Sequence, residues 1–171
     1  TLAFFLLGKI KPWDATFYVI AHFVGGLLGL LLVALFMNRF LSDPSVNYMV
    51  TVPGGPGAGF AFLAETLMSF LVMLAILYLT NHDALAKYTG VGVAILLLIF
   101  VTWESPYSGV SINTARSIAS NLAAWDWPSV WVYVLGPSLG MALAGLTFVM
   151  VKSREHVKCA KLHHQMTNDA L

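Results

Sequence analysis

Long apolar runs separated by short polar segments dominate the chain. Residues 16–37 contain no Asp, Glu, Lys or Arg and a single imidazole, His22. Residues 58–79 carry one charge, Glu65, and residues 130–151 carry none. A fourth run, residues 88–103, is shorter and is ended by Glu104. A helix crosses the hydrocarbon core with about 20 mostly apolar residues, so the pattern predicts four membrane spans, the 88–103 one short. Residues 1–10 are apolar but too few to span, and no basic stretch or small-residue cleavage site marks them as a signal peptide.

The spans carry packing signals. Ala21, Gly25 and Gly29 recur at four-residue spacing in the first, and Gly136, Gly140 and Ala144 repeat the pattern in the last. Small residues at this spacing let helix backbones approach closely in lipid, and both stripes are expected to do so. Pro137, inside the last span, implies a bend or a neighbour that satisfies the freed carbonyl.

The connecting segments set orientation through their Lys and Arg. Four spans put Lys9, Lys11, Lys87, Lys152, Arg154, Lys158 and Lys161 on one side, and Arg39 and Arg116 on the other. The tail, residues 152–171, and the amino-terminal approach are therefore expected to be cytoplasmic.

Composition narrows the class. The chain has 171 residues, is 58% hydrophobic and 10% charged, and has a mean hydropathy of +0.80. Soluble domains carry about 25% charged residues, so a polytopic membrane protein is indicated. A formal charge of +1 excludes a nucleic-acid binder, and a single cysteine, Cys159, excludes a disulfide scaffold. The chain opens on Thr1, not methionine, from which a processed chain or a fragment is expected.

Residues 105–124 do not read as an ordinary loop. Ser105 to Ile112 contains Pro, Gly and Ser and is expected to be extended. Asn113 is a favourable N-cap, and Thr114 to Ala124 has the composition of a short helix, about 16 Å long at 1.5 Å per residue. An extended strand followed by a half-length helix describes a re-entrant loop, which is tolerated at membrane depth only against protein or a water-filled cavity. This segment is the candidate pore lining.

The run Gly109-Val-Ser-Ile-Asn113-Thr114-Ala115-Arg116-Ser117 resembles the second signature loop of the aquaporin and glycerol-facilitator (major intrinsic protein) family, which reads Asn-Pro-Ala-Arg. Ala64-Glu65-Thr66 is similar to the fourth span of that family, and Trp131 to Gly140 to the sixth. Tyr18 to Gly26 is similar to the third, with His22 where glutamine is usual, and Thr1-Leu2-Ala3-Phe4 to the continuation of the first Asn-Pro-Ala loop. The resemblance implies an all-α, aquaporin-like helical bundle, incomplete, in which residues 1–10 end a first re-entrant half-helix. Equivalents of the first two spans and of the first Asn-Pro-Ala motif are missing, and Thr114 stands where the family has proline. Proline has its φ preset at a first helical position, so a less rigid turn is expected with threonine.

Function follows as an expectation from the resemblance: a passive channel for water or small neutral solutes such as glycerol, without cofactor, metal or catalytic chemistry. Asn113 and Arg116 would line the pore, with Thr114 and Ala115 between them, Val101 and Val110 at filter positions, and Glu65 bracing the loop. Their bland alternatives are a helix cap for Asn113 and an interfacial snorkelling side chain for Arg116. Ser117 and Tyr133 match water channels, whereas Val134 and Asn121 match neither pattern; Val101 replaces the histidine of strict water channels and implies a wider, more apolar filter. Glu65 is open to a proton-relay role, and His22 to interhelical hydrogen bonding or gating. His156, Cys159 and His163 share a helical face that could hold a metal or be a solvated tail. The family implies a homotetramer in a lipid bilayer, in a plasma or bacterial inner membrane. Two other readings stand: a non-conducting assembly subunit or truncated fragment, and an ion-coupled transporter using Glu65 and His22.

Overall fold

A computed structural model describes residues 1–127, 129–153 and 157. Among them the regular structure is entirely helical: α1 (Leu2–Leu6), α2 (Pro12–Leu41), α3 (Ala58–Thr80), α4 (Thr89–Trp103), α5 (Ser105–Ser108), α6 (Thr114–Ala124) and α7 (Val130–Lys152). Short 3₁₀ turns at Asn47–Met49 and Ala86–Tyr88 precede α3 and α4. Four of these helical stretches are long and apolar enough to cross a membrane. The protein is an integral membrane protein with an aquaporin-like helical bundle.

The 16–37 run lies within the longer α2, which starts at Pro12, where a missing N–H costs nothing. Met37 leaves helical geometry, with φ −132° and ψ 23°, at the end of the apolar run. The 88–103 run forms α4, extended at its start by the Ala86–Tyr88 turn. The expected strand at Ser105 to Ile112 is corrected in part. Ser105–Ser108 forms a helical turn, with Pro106 near its start where helical φ suits it, and Gly109 ends it at φ 83°.

The bundle is organised by α3 against α7. A Cβ on Gly136 would lie 3.0 Å from the Glu65 Cβ, and one on Gly140 would strike the Thr66 carbonyl oxygen. The two backbones therefore touch where side chains would otherwise hold them apart. One end of this pair is closed by α1: Ala3, Phe4 and Leu7 are buried with Met73, Leu77, Ala144 and Phe148. The Tyr78 ring meets Phe148 edge-on at 5.1 Å. The other end receives the irregular segment before α6.

The stripe in α2 behaves differently. Gly25 and Gly29 have no described atom within 4 Å of a built Cβ. The glycine of α2 that permits a close approach is Gly26, 3.3 Å from the Ala115 carbonyl of α6 by the same measure. Helix α2 thus rests on the half-helix, and Ala15 is its one buried residue among those described.

An alanine at position 140 forces α3 and α7 apart, so Gly140→Ala is expected to lower stability by roughly 1–3 kcal/mol, the range for overpacking. Gly25→Ala in the same chain should leave it within about 0.5 kcal/mol. Thermal unfolding in detergent micelles checks the pair; equal midpoints for the two variants would contradict the contact assignment.

Candidate pore-loop site

The site is built on a backbone that few residues tolerate. Gly109, Val110 and Ile112 have φ of 83°, 50° and 53°. For β-branched Val110 and Ile112 this left-handed geometry is strained, and it persists because the N–H groups it exposes are taken up. The Ser111 N–H donates to Glu65 Oε1 at 2.7 Å and the Ile112 N–H to Oε2 at 2.8 Å. The Ser108 hydroxyl lies 3.1 Å from Oε1. Glu65 is completely buried on α3, opposite Gly136. A side chain at position 136 would displace it, so the close helix crossing and the loop geometry are one construction.

Asn113 caps α6 with extended backbone (φ −137°, ψ 100°), and its Oδ1 accepts from the Arg116 N–H at 3.2 Å. Its side chain is exposed, whereas Arg116 is half-buried. Arg116 Nη1 donates to Thr51 Oγ1 at 2.5 Å, tying the half-helix to the connection between α2 and α3. That connection also grips the preceding turn: Gly54 N–H donates to the Tyr107 carbonyl at 2.8 Å. Any Cβ at Gly54 would strike the Pro106 carbonyl, which explains glycine there. Beneath Asn113, Ser111 and the fully buried Ser117 share a hydroxyl–hydroxyl bond of 2.5 Å.

Thr114 has a role of its own. Pro137 has no N–H to give the Tyr133 carbonyl four residues earlier, and Thr114 Oγ1 donates to that carbonyl at 3.0 Å. The hydroxyl replaces the missing backbone donor and pins the first turn of α6 to α7. Tyr133, fully buried, returns a bond in the other direction, from its OH to the Ser108 carbonyl at 2.7 Å. Threonine here lacks the preset φ of proline but gains a specific tether.

Asn113, Thr114, Ala115 and Arg116 are thus gathered on one short helix, with Glu65 beneath the loop that enters it. Val110 packs with Met68, Val72 and Ile112. Val101 is 55% exposed on α4, next to Phe100, which joins that same cluster. His22 is exposed on α2. His156, Cys159 and His163 lie outside the described residues. Ser108, Ser111, Thr51 and Glu104 were not legible as site residues. Serines in a loop are unremarkable by composition, and nothing local pairs Thr51 with an arginine 65 positions away.

The architecture is thus an all-helical membrane bundle with a strained loop leading into a half-length helix. A sequence model of the major intrinsic protein family matches residues 1–148, and the chain belongs to that family. It is 34% identical over 152 residues to aquaporin TIP4-4 of Zea mays, covering 86% of this chain and 58% of that protein. It is 30% identical over 155 residues to aquaporin NIP1-4 of Oryza sativa subsp. japonica, covering 89% and 54%. It is 29% identical over 147 residues to glycerol uptake facilitator protein-like 6 of Lactiplantibacillus plantarum, covering 84% and 68%. The chain spans little more than half the length of most of these relatives.

Thr114→Val removes the Oγ1 donor and leaves the Tyr133 carbonyl unsatisfied, at an expected cost of about 1–3 kcal/mol. Pro137→Ala restores a backbone donor to that carbonyl, so the double variant should lose less than the sum of the two single changes. Thermal midpoints of all four proteins close the cycle; strict additivity would remove the tether from the account.

Proposed function

We propose that this chain forms part of a passive channel for water and small neutral solutes such as glycerol, by single-file diffusion without ion coupling or enzymatic chemistry. The observation that carries the reading is the Asn113–Arg116 half-helix, entered from a loop whose backbone is held by Glu65. Such a loop turns successive peptide groups away from internal pairing, which supports a row of carbonyl acceptors at residues 109–112 for a passing solute. Asn113, its Oδ1 occupied by Arg116 N–H, supplies amide donors. The positive end of α6 and the Arg116 guanidinium disfavour cations and protons. Val101 and Val110 are the apolar filter positions in this proposal, with Ala115 giving room beside Arg116.

The names of the relatives support both water and glycerol as cargo, and a filter without histidine favours the wider choice. Family likeness supports a homotetramer, and the Lys/Arg distribution supports a cytoplasmic tail. The span of only about half of the relatives' length favours a second reading, in which this chain alone is a non-conducting portion of such a channel. Transport coupled to Glu65 and His22 receives less support, because both Glu65 oxygens accept loop N–H groups.

Stopped-flow light scattering of proteoliposomes under water and glycerol gradients tests these readings. Permeability above empty liposomes, insensitive to a proton gradient, is the expected result. Arg116→Ala widens the constriction and should raise glycerol relative to water permeability by about tenfold, a barrier lowered by about 1.4 kcal/mol. An unchanged ratio would sink the filter assignment. Empty-liposome permeability here, with conduction by a version extended to the relatives' length, would establish the second reading.

A further inference from the structure

Glu104, the residue that ends α4, reaches the same serine as Glu65. Its Oε2 lies 2.5 Å from Ser108 Oγ, while Ser108 Oγ lies 3.1 Å from Glu65 Oε1. The Ser108 oxygen also accepts the Val110 N–H at 3.2 Å. A hydroxyl has one hydrogen and cannot donate to both carboxylates. Two ionised carboxylates would leave one of them facing an oxygen lone pair, and they would repel each other in a buried setting.

The surroundings of the two acids differ. Glu65 accepts two backbone N–H groups, the pattern that favours an ionised carboxylate. The Glu104 side chain has Ser108 as its only hydrogen-bond partner among the described residues, and its buried Oε1 has none. A carboxylic acid at this position satisfies every distance: Glu104 Oε2–H donates to Ser108 Oγ, and Ser108 O–H donates to Glu65.

We propose that Glu104 is held as a neutral carboxylic acid and acts as a positioning residue for the pore loop, by donating to Ser108 so that the Ser108 hydroxyl is committed to Glu65. Burial acts in the same direction, pushing the Glu104 carboxyl above the ordinary carboxylate range against the opposing effect of the Ser108 hydrogen bond. The charged and titratable groups facing this cluster are Glu65 of α3, Tyr133 of α7, whose OH binds the Ser108 carbonyl, and Arg116 of α6, which interacts with Glu65 and Tyr133. When Glu104 ionises, one hydroxyl hydrogen must serve two carboxylates, and the tie between Ser108 and Glu65 competes with one to Glu104. The assignment of the proton is independent of cargo; its bearing on permeation rests on the channel reading.

Infrared difference spectroscopy of the lipid-reconstituted protein tests the proton directly. A carbonyl stretch of a protonated carboxyl is expected at neutral pH, absent from Glu104→Gln, and titrating away as pH rises. No such band at neutral pH, or a band that survives in Glu104→Gln, would overturn the assignment. The sign for stability follows from a folded-state pKa above the unfolded one: the stabilisation is complete below the unfolded value and is lost as pH rises through the folded value. Thermal midpoints of the wild-type protein should therefore fall over that window relative to Glu104→Gln, whose amide retains a donor for Ser108. Parallel pH profiles for the two proteins would count against the proposal. Neither readout needs the protein to conduct, so failure of the channel reading leaves both interpretable.

Discussion

One buried carboxylate holds this architecture together. Glu65 sits in the middle of an apolar helix with no exposure, a position that costs several kcal/mol for an uncompensated charge. It is tolerated because the loop opposite has two N–H groups that its own left-handed backbone cannot pair internally. Each feature would be untenable without the other. Irregular backbone at membrane depth needs a protein acceptor, and a buried acid needs donors.

The rest of the bundle arranges itself around that exchange. Gly136 and Gly140 let α7 close on α3 at the level of Glu65, and the same helix presents the Tyr133 OH and carbonyl to the two ends of the loop. Thr114 and Pro137 form a further reciprocal pair, one supplying the donor that the other lacks. The polar interactions of the site are thus chained: Glu104 to Ser108, Ser108 to Glu65, Glu65 to Ser111 and Ile112, Thr114 to Tyr133. Water-excluded surroundings make such chains stiff when complete and expensive when broken. In the channel we propose, a loop that keeps its carbonyls turned outward would benefit from that stiffness.

Much of the outline was legible along the chain. Four apolar runs became four long helical stretches, because span length is dictated by the bilayer and not by tertiary contacts. Asn113 capped α6 as its residue type suggests, since capping is a local property of one side chain and the next three N–H groups. The turn at Ser105–Ser108 departs from the extended backbone its composition suggests, because Pro and Gly signal an interruption equally well whether the residues between them coil or extend. Gly25 and Gly29 showed the limit of spacing arguments: the stripe matches that of α7, yet the close contact of α2 falls on Gly26.

The sequence by itself determined that the chain is a membrane protein, where its long helices lie, and which short helix bears Asn113 and Arg116. These follow from hydropathy, helix length and capping, all of which act over a few turns. Only the tertiary structure decided which acceptor meets which donor. Arg116 finds Thr51, Glu65 finds the N–H groups of Ser111 and Ile112, and Thr114 finds the carbonyl that Pro137 frees. Those partners lie 19 to 65 residues apart, and a hydrogen bond is set by ångström-scale approach of two helices, which no local pattern of residue types encodes.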